Sequence, residues 1–168
     1  TGKKTDLGAG EAEWDDRTDD QWLYRKRFDG DFLKLSRRDL RTGTRQWVTK
    51  DIEKDVDSWS VAKDSKRIAV LINSNGFAQL RLFDEELRAL PTPALPAGRI
   101  TAVSWHRNGR DLALAIESAE SPGEVFSLDA DTNTITRWTQ HPAVAGVKRP
   151  FIEAEPILWR SFDGMTIT

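Results

Sequence analysis

Short apolar runs separated by polar turns recur along this chain, and the runs fall into a repeating order. Trp59 is followed by the polar stretch Lys63-Asp64-Ser65-Lys66 and then by Ile68-Ala69-Val70-Leu71-Ile72. Trp105 is followed by Arg107-Asn108-Gly109-Arg110 and then by Leu112-Ala113-Leu114-Ala115-Ile116. Trp14 leads through Asp15 to Gln21 into Trp22-Leu23-Tyr24. Apolar runs this short, bounded by turn residues, read as strands rather than helices. No stretch shows a sustained helical period.

The second half of each unit repeats too. A turn (Asp29-Gly30-Asp31, Asn73 to Gly76, Glu120 to Gly123) precedes an alternating strand: Phe32 to Leu35, Phe77 to Phe83, and Val125 to Leu128. Each of these strands ends near an aspartate, Asp39, Asp84 or Asp129. A tight turn and a short outer strand follow, predicted over Arg45 to Thr49, Leu87 to Leu90, and Ile135 to Thr139. The marker tryptophans are about 45 residues apart, the length of one four-stranded propeller blade. The expected fold class is therefore all-β: a partial β-propeller of about three four-stranded antiparallel blades, of the TolB-like or WD40-like kind.

The predicted blades cover residues 8–50, 51–95 and 96–140. Thr1-Gly2-Lys3-Lys4-Thr5-Asp6-Leu7 aligns with Thr42-Gly43-Thr44-Arg45-Gln46-Trp47-Val48, so residues 1–7 are expected to be the outer strand of a preceding blade. Inner strands covered on both faces should be continuously apolar, and the marker tryptophans should bury their indoles between blades. Residues 141–156 carry Pro142, Pro150 and Pro156 and read as a linker. Residues 157–168 then read as a hairpin closed by Asp163-Gly164.

Composition narrows the function classes. Hydrophobic residues make up 38% and charged residues 31%, an ordinary balance for a globular chain. Lysine and arginine total 25 against 27 acidic residues, a formal charge of −2. That lacks the basic excess of a nucleic-acid binder, and Arg37-Arg38 with Arg41 and Arg45 read as a solvated blade edge. No apolar run reaches the roughly 20 residues of a membrane helix. No secretory signal opens the chain, and the absence of cysteine removes disulfide and thiolate chemistry. A soluble protein, cytoplasmic or periplasmic, is the expectation.

Candidate chemistry is sparse. No Gly-x-Ser-x-Gly elbow occurs, and His106 and His141 read as solvated turn and linker residues. Asp129-Ala130-Asp131-Thr132-Asn133 opens like a calcium loop, but Thr134 and Gln140 stand where glycine and glutamate are required. Asp15-Asp16 with Asp19-Asp20 read as a solvated acidic turn. Gly8-Ala9-Gly10 leads into Glu11 and Glu13, which would repel phosphate. No catalytic, cofactor-binding or metal residue is assigned, and no cofactor is expected.

One stretch is more specific. Glu155-Pro156, followed after five residues by Ser161-Phe162-Asp163-Gly164 and placed behind propeller repeats, resembles the crossover in the prolyl oligopeptidase family of serine peptidases. The turns Ser65-Lys66-Arg67-Ile68-Ala69 and Asn108-Gly109-Arg110-Asp111-Leu112-Ala113 are similar to blade turns of that family, including its acylaminoacyl-peptidase and dipeptidyl-peptidase-like members. The resemblance implies that an α/β-hydrolase domain of the same polypeptide follows, beginning with the hairpin at 157–168. It implies that this domain carries the serine, aspartate and histidine, and that the propeller restricts entry to short peptides. None of the triad maps onto residues 1–168. The competing expectation is a stand-alone TolB-like propeller that binds a protein partner. Exposed blade faces and strand edges would favour association, including with a second copy.

Overall fold

The computed structural model describes residues 13–17, 20–27, 32–74, 77–118, 121, 123–140 and 157–167; for 13–17 and Lys26 it describes the backbone alone. The expected outer strand at 1–7, the turn at 29–31, the linker at 141–156 and His141 lie outside the described residues. The chain divides into two units, Thr1–Val56 and Asp57–Thr168. Every regular element among the described residues is a strand.

In the first unit β1 (Glu13–Arg17), β2 (Gln21–Arg27), β3 (Leu33–Asp39) and β4 (Arg45–Trp47) form an antiparallel sheet in sequential order. Asp15 to Arg17 belong to β1 rather than to the turn expected there, because the polar residues continue the ladder through Asp16↔Leu23 and Arg17↔Trp22. Leu23 and Leu35 are fully buried. Beyond β4 the chain keeps following the edge of β3. Val48 N–H donates to the Leu35 carbonyl at 3.0 Å, Thr49 Oγ1 accepts from Leu35 N–H at 2.9 Å, and Asp55 Oδ1 accepts from Leu33 N–H at 2.7 Å. These contacts occupy edge groups that would otherwise be left unpaired.

The second unit holds two sheets of the same plan. One is β5 (Val56–Val61), β6 (Ile68–Ser74), β7 (Phe77–Phe83) and β8 (Ala89–Leu90). The other is β9 (Arg99–Trp105), β10 (Asp111–Glu117), β11 (Glu124–Asp129) and β12 (Thr134–Arg137). The sheets meet face to face. Ala69, Leu71, Leu80 and Leu82 of one pack with Leu112, Leu114, Ile116, Phe126 and Leu128 of the other in a single apolar cluster. Removing a leucine such as Leu114 from water contributes about 1.5–3 kcal/mol, so this seam is the main cohesive element of the unit.

The two inner strands differ in a way the apolar pattern does not announce. Ile68 to Ile72 are buried on both faces, as a covered inner strand requires. On β10 only alternate residues, Leu112, Leu114 and Ile116, are buried, while Ala113 is exposed. Alanine tolerates either side of a sheet, so an unbroken apolar run does not distinguish the two cases.

The three aspartates work as turn formers. Asp39 Oδ1 accepts from Arg41 and Thr42 N–H at 2.8 Å each, and Asp129 Oδ1 accepts from Asp131 and Thr132 N–H at 2.9 and 3.0 Å. Asp84 Oδ1 accepts from Arg88 N–H at 2.9 Å. A last hairpin, β13 (Trp159–Arg160) with β14 (Thr166–Ile167), turns at Gly164, whose φ of +85° is one that glycine adopts freely.

Candidate functional site

The marker tryptophans lie on the first strand of each sheet, but not on the same rung. Ala62 N–H donates to Arg67 O and His106 N–H to Asp111 O, both at 2.8 Å, which makes Val61 the counterpart of Trp105 and Val103 the counterpart of Trp59. Trp14 lies across an irregularity in β1, between Glu13 and Asp16, and its side chain is outside the described residues. The spacing of about 45 residues therefore marks a common strand and not a common rung. Spacing along the sequence does not see a bulge or a two-residue slip.

Trp105 joins the two sheets of the second unit. It packs against the apolar cluster, and its Nε1 donates to the Ser60 carbonyl at 3.1 Å. At one end of the seam the β5–β6 turn meets the β9–β10 turn. Ser65 Oγ donates to the Gly109 carbonyl at 2.8 Å, and Arg67 pairs with Asp131 at 2.6 Å. Gly109 has φ +63°, and a Cβ there would stand 2.7 Å from Ser65 Oγ. These groups hold sheets together, and none is arranged to move a proton or a metal.

The residues weighed for chemistry are absorbed in the same way. His106 is exposed, and its Nδ1 accepts from Asn108 N–H at 3.3 Å. In the calcium-like stretch the Asp129 carboxyl is held below its ordinary range, first by the Thr132 N–H, and Asp131 is engaged by Arg67. Asp111 is likewise lowered, chiefly by its hydrogen bond from Arg110. Asp20 lies 4.0 Å from Arg41, and the Asp15 and Asp16 side chains are outside the described residues. Among the described residues no three His, Asp or Glu side chains converge as metal ligands, and no helix is long and apolar enough to cross a membrane.

Among the described residues, two features stand open for binding. The β13–β14 hairpin presents Ile157, Leu158, Trp159, Phe162 and Met165 to solvent, Phe162 fully so. A groove of about 480 Å³ runs between β7 (Phe77 to Arg81) and the segment Thr92 to Gly98. The pattern of apolar and polar positions does not announce this groove. Its signal is the run Pro91-Thr92-Pro93, standing where the sister blades carry Trp47-Val48-Thr49 and Arg137-Trp138-Thr139.

No protein-family profile matches the chain, and no curated protein matches it. Solved structures do. A prolyl endopeptidase superposes with TM-score 0.71 at 11% identity, over 92% of this chain and 23% of its own. The β-propeller domain of the Trilobed protease from Pyrococcus furiosus gives TM-score 0.61 at 13% identity, over 79% of this chain and 43% of its own. A puromycin hydrolase gives 0.68 at 19% identity, over 94% and 24%. The chain is thus a partial β-propeller, spanning about a quarter of the prolyl endopeptidase it resembles.

Proposed function

We propose that this chain is the non-catalytic β-propeller segment of a serine peptidase of the prolyl oligopeptidase family, and that it limits access of substrate to a hydrolase domain of the same polypeptide. The observation that carries the reading is an order of elements. Two face-packed four-stranded sheets, preceded by a third of the same plan, are followed by the Trp159–Ile167 hairpin with its Ser161-Phe162-Asp163-Gly164 turn. Likeness to solved peptidases supports it, at identities of 11 to 19%.

The hairpin's exposed apolar side chains suit the opening strands of a second domain, where they would be covered. The propeller's part is steric: stacked sheets admit an extended short peptide and exclude a folded protein. In this reading the nucleophile and its base lie in the hydrolase domain; the sequence of residues 1–168 contains no Gly-x-Ser-x-Gly elbow.

The test uses the natural polypeptide containing this segment. Hydrolysis is followed for unstructured peptides of increasing length and for a folded protein carrying the same cleavable sequence. Falling kcat/KM with length and no cleavage of the folded protein are expected. Equal cleavage of the folded protein and the shortest peptide refutes the filtering role. Absence of any peptidase activity, together with a stable co-purifying partner, would favour a partner-binding propeller instead.

A further inference from the structure

We infer that the outer edge of β7 binds an extended acidic segment of a partner protein, which adds to the β5–β8 sheet as a further strand. The same edge differs among the three sheets. Counting back from Asp39, Asp84 and Asp129, the residues Leu35, Leu80 and Val125 are equivalent. In the first sheet Leu35 is engaged by Val48 N–H and Thr49 Oγ1. In the third, Val125 O accepts from Trp138 N–H at 2.8 Å, and Val125 N–H donates to Thr139 Oγ1 at 2.8 Å. Both edges are therefore covered by the residues that follow the outer strand, each through one main-chain N–H and one threonine hydroxyl.

The middle sheet lacks that cover. Pairing of β7 with β8 stops at Leu82↔Leu90, whereas an unbroken ladder would bring Thr92 opposite Leu80. Pro91 and Pro93 fix φ near −65°, far from the roughly −140° of an antiparallel strand, so they turn the chain off the pleat. What opens is the groove of about 480 Å³ between Phe77–Arg81 and Thr92–Gly98. Asp84 N–H bonds toward β8, and strand alternation then turns the main-chain groups of Leu80 and Ala78 toward the groove.

An exposed edge of this kind accepts extended main chain by strand addition. The sister sheets point to the occupant, because in both a main-chain N–H reaches the equivalent carbonyl and a hydroxyl accepts from the equivalent N–H. The occupant's charge is specified by Arg81, the one charged residue lining the groove among the described residues. The inference does not rest on the peptidase reading.

The test measures binding of the synthetic peptide acetyl-Val-Thr-Glu-Thr-Val-amide to the full 168-residue chain, with hydrogen-exchange mass spectrometry across residues 77–83. Saturable binding is expected, with slowed exchange in that segment and not in 112–116. The same peptide N-methylated throughout should not bind, because it has no backbone donor. A lysine-for-glutamate peptide should bind about two- to fivefold more weakly at low salt, and Arg81→Glu, an exposed change, should reverse that order. Equal binding of the N-methylated peptide overturns strand addition. No binding, or protection elsewhere in the chain, overturns the site. An unchanged charge preference in Arg81→Glu overturns the acidic specificity.

Discussion

Replacing Gly109 by alanine tests the seam between the two sheets of the second unit at one atom. Gly109 has φ +63°, a left-handed conformation that costs an L-residue about 1–2 kcal/mol. The new Cβ would stand 2.7 Å from Ser65 Oγ, 2.9 Å from Ser65 Cβ and 3.2 Å from Ser65 N, so the facing turn must move. Movement breaks the 2.8 Å bond from Ser65 Oγ to the Gly109 carbonyl, a further loss of about 1 kcal/mol. The sum is about 2–3 kcal/mol, read as a shift in urea denaturation followed by tryptophan fluorescence. The discriminating measurement is the same change in a Ser65→Gly background. Without the serine side chain the two closest contacts and the bond vanish together, and Gly109→Ala should then cost only its conformational part, about 1–2 kcal/mol. An identical cost in both backgrounds would refute the packing of these turns against each other.

Other consequences follow from the same contacts. Trp105→Phe removes the donor to Ser60 O and should destabilise the second unit by about 1–2 kcal/mol in the same denaturation assay. Asp39, Asp84, Asp111 and Asp129 are all held below the ordinary 3.8; for Asp84 partial desolvation works against the lowering, and the Arg88 hydrogen bonds prevail. A depressed carboxyl contributes stability above its unfolded value and loses it as pH falls through its folded value. Stability should therefore be level near neutrality and drop below about pH 4. Asp129→Asn should make the acid limb of a pH-dependent melting series shallower. Phe162→Ser with Met165→Ser should reduce concentration-dependent light scattering of the chain, since both side chains are exposed and apolar; unchanged scattering would place association elsewhere.

Much of the architecture was readable because each blade writes the same local instructions. The predicted run Phe77 to Phe83 coincides with β7, and Asp39, Asp84 and Asp129 close the turns where they were expected. Those signals are local: alternation along a strand, and a carboxylate that accepts from N–H groups two to four residues on. What escaped the reading depends on register and on neighbours. The offset between Trp59 and Trp105 is a matter of rungs, and the one-sided burial of β10 depends on what covers a sheet. The groove beside β7 depends on neighbours too: Pro91 stands where the other sheets carry the strand residues Trp47 and Arg137, and Pro93 where they carry Thr49 and Thr139, whose hydroxyls accept from the edge.

The central claim is that this propeller leaves peptide-bond chemistry to another part of its polypeptide. The most direct measurement is labelling of the natural, folded polypeptide with a fluorophosphonate, followed by mass-spectrometric mapping of the modified serine. The account predicts one modified serine outside residues 1–168. Modification of Ser36, Ser65, Ser104, Ser161 or any other serine of this segment, or no active-site labelling at all, would contradict it.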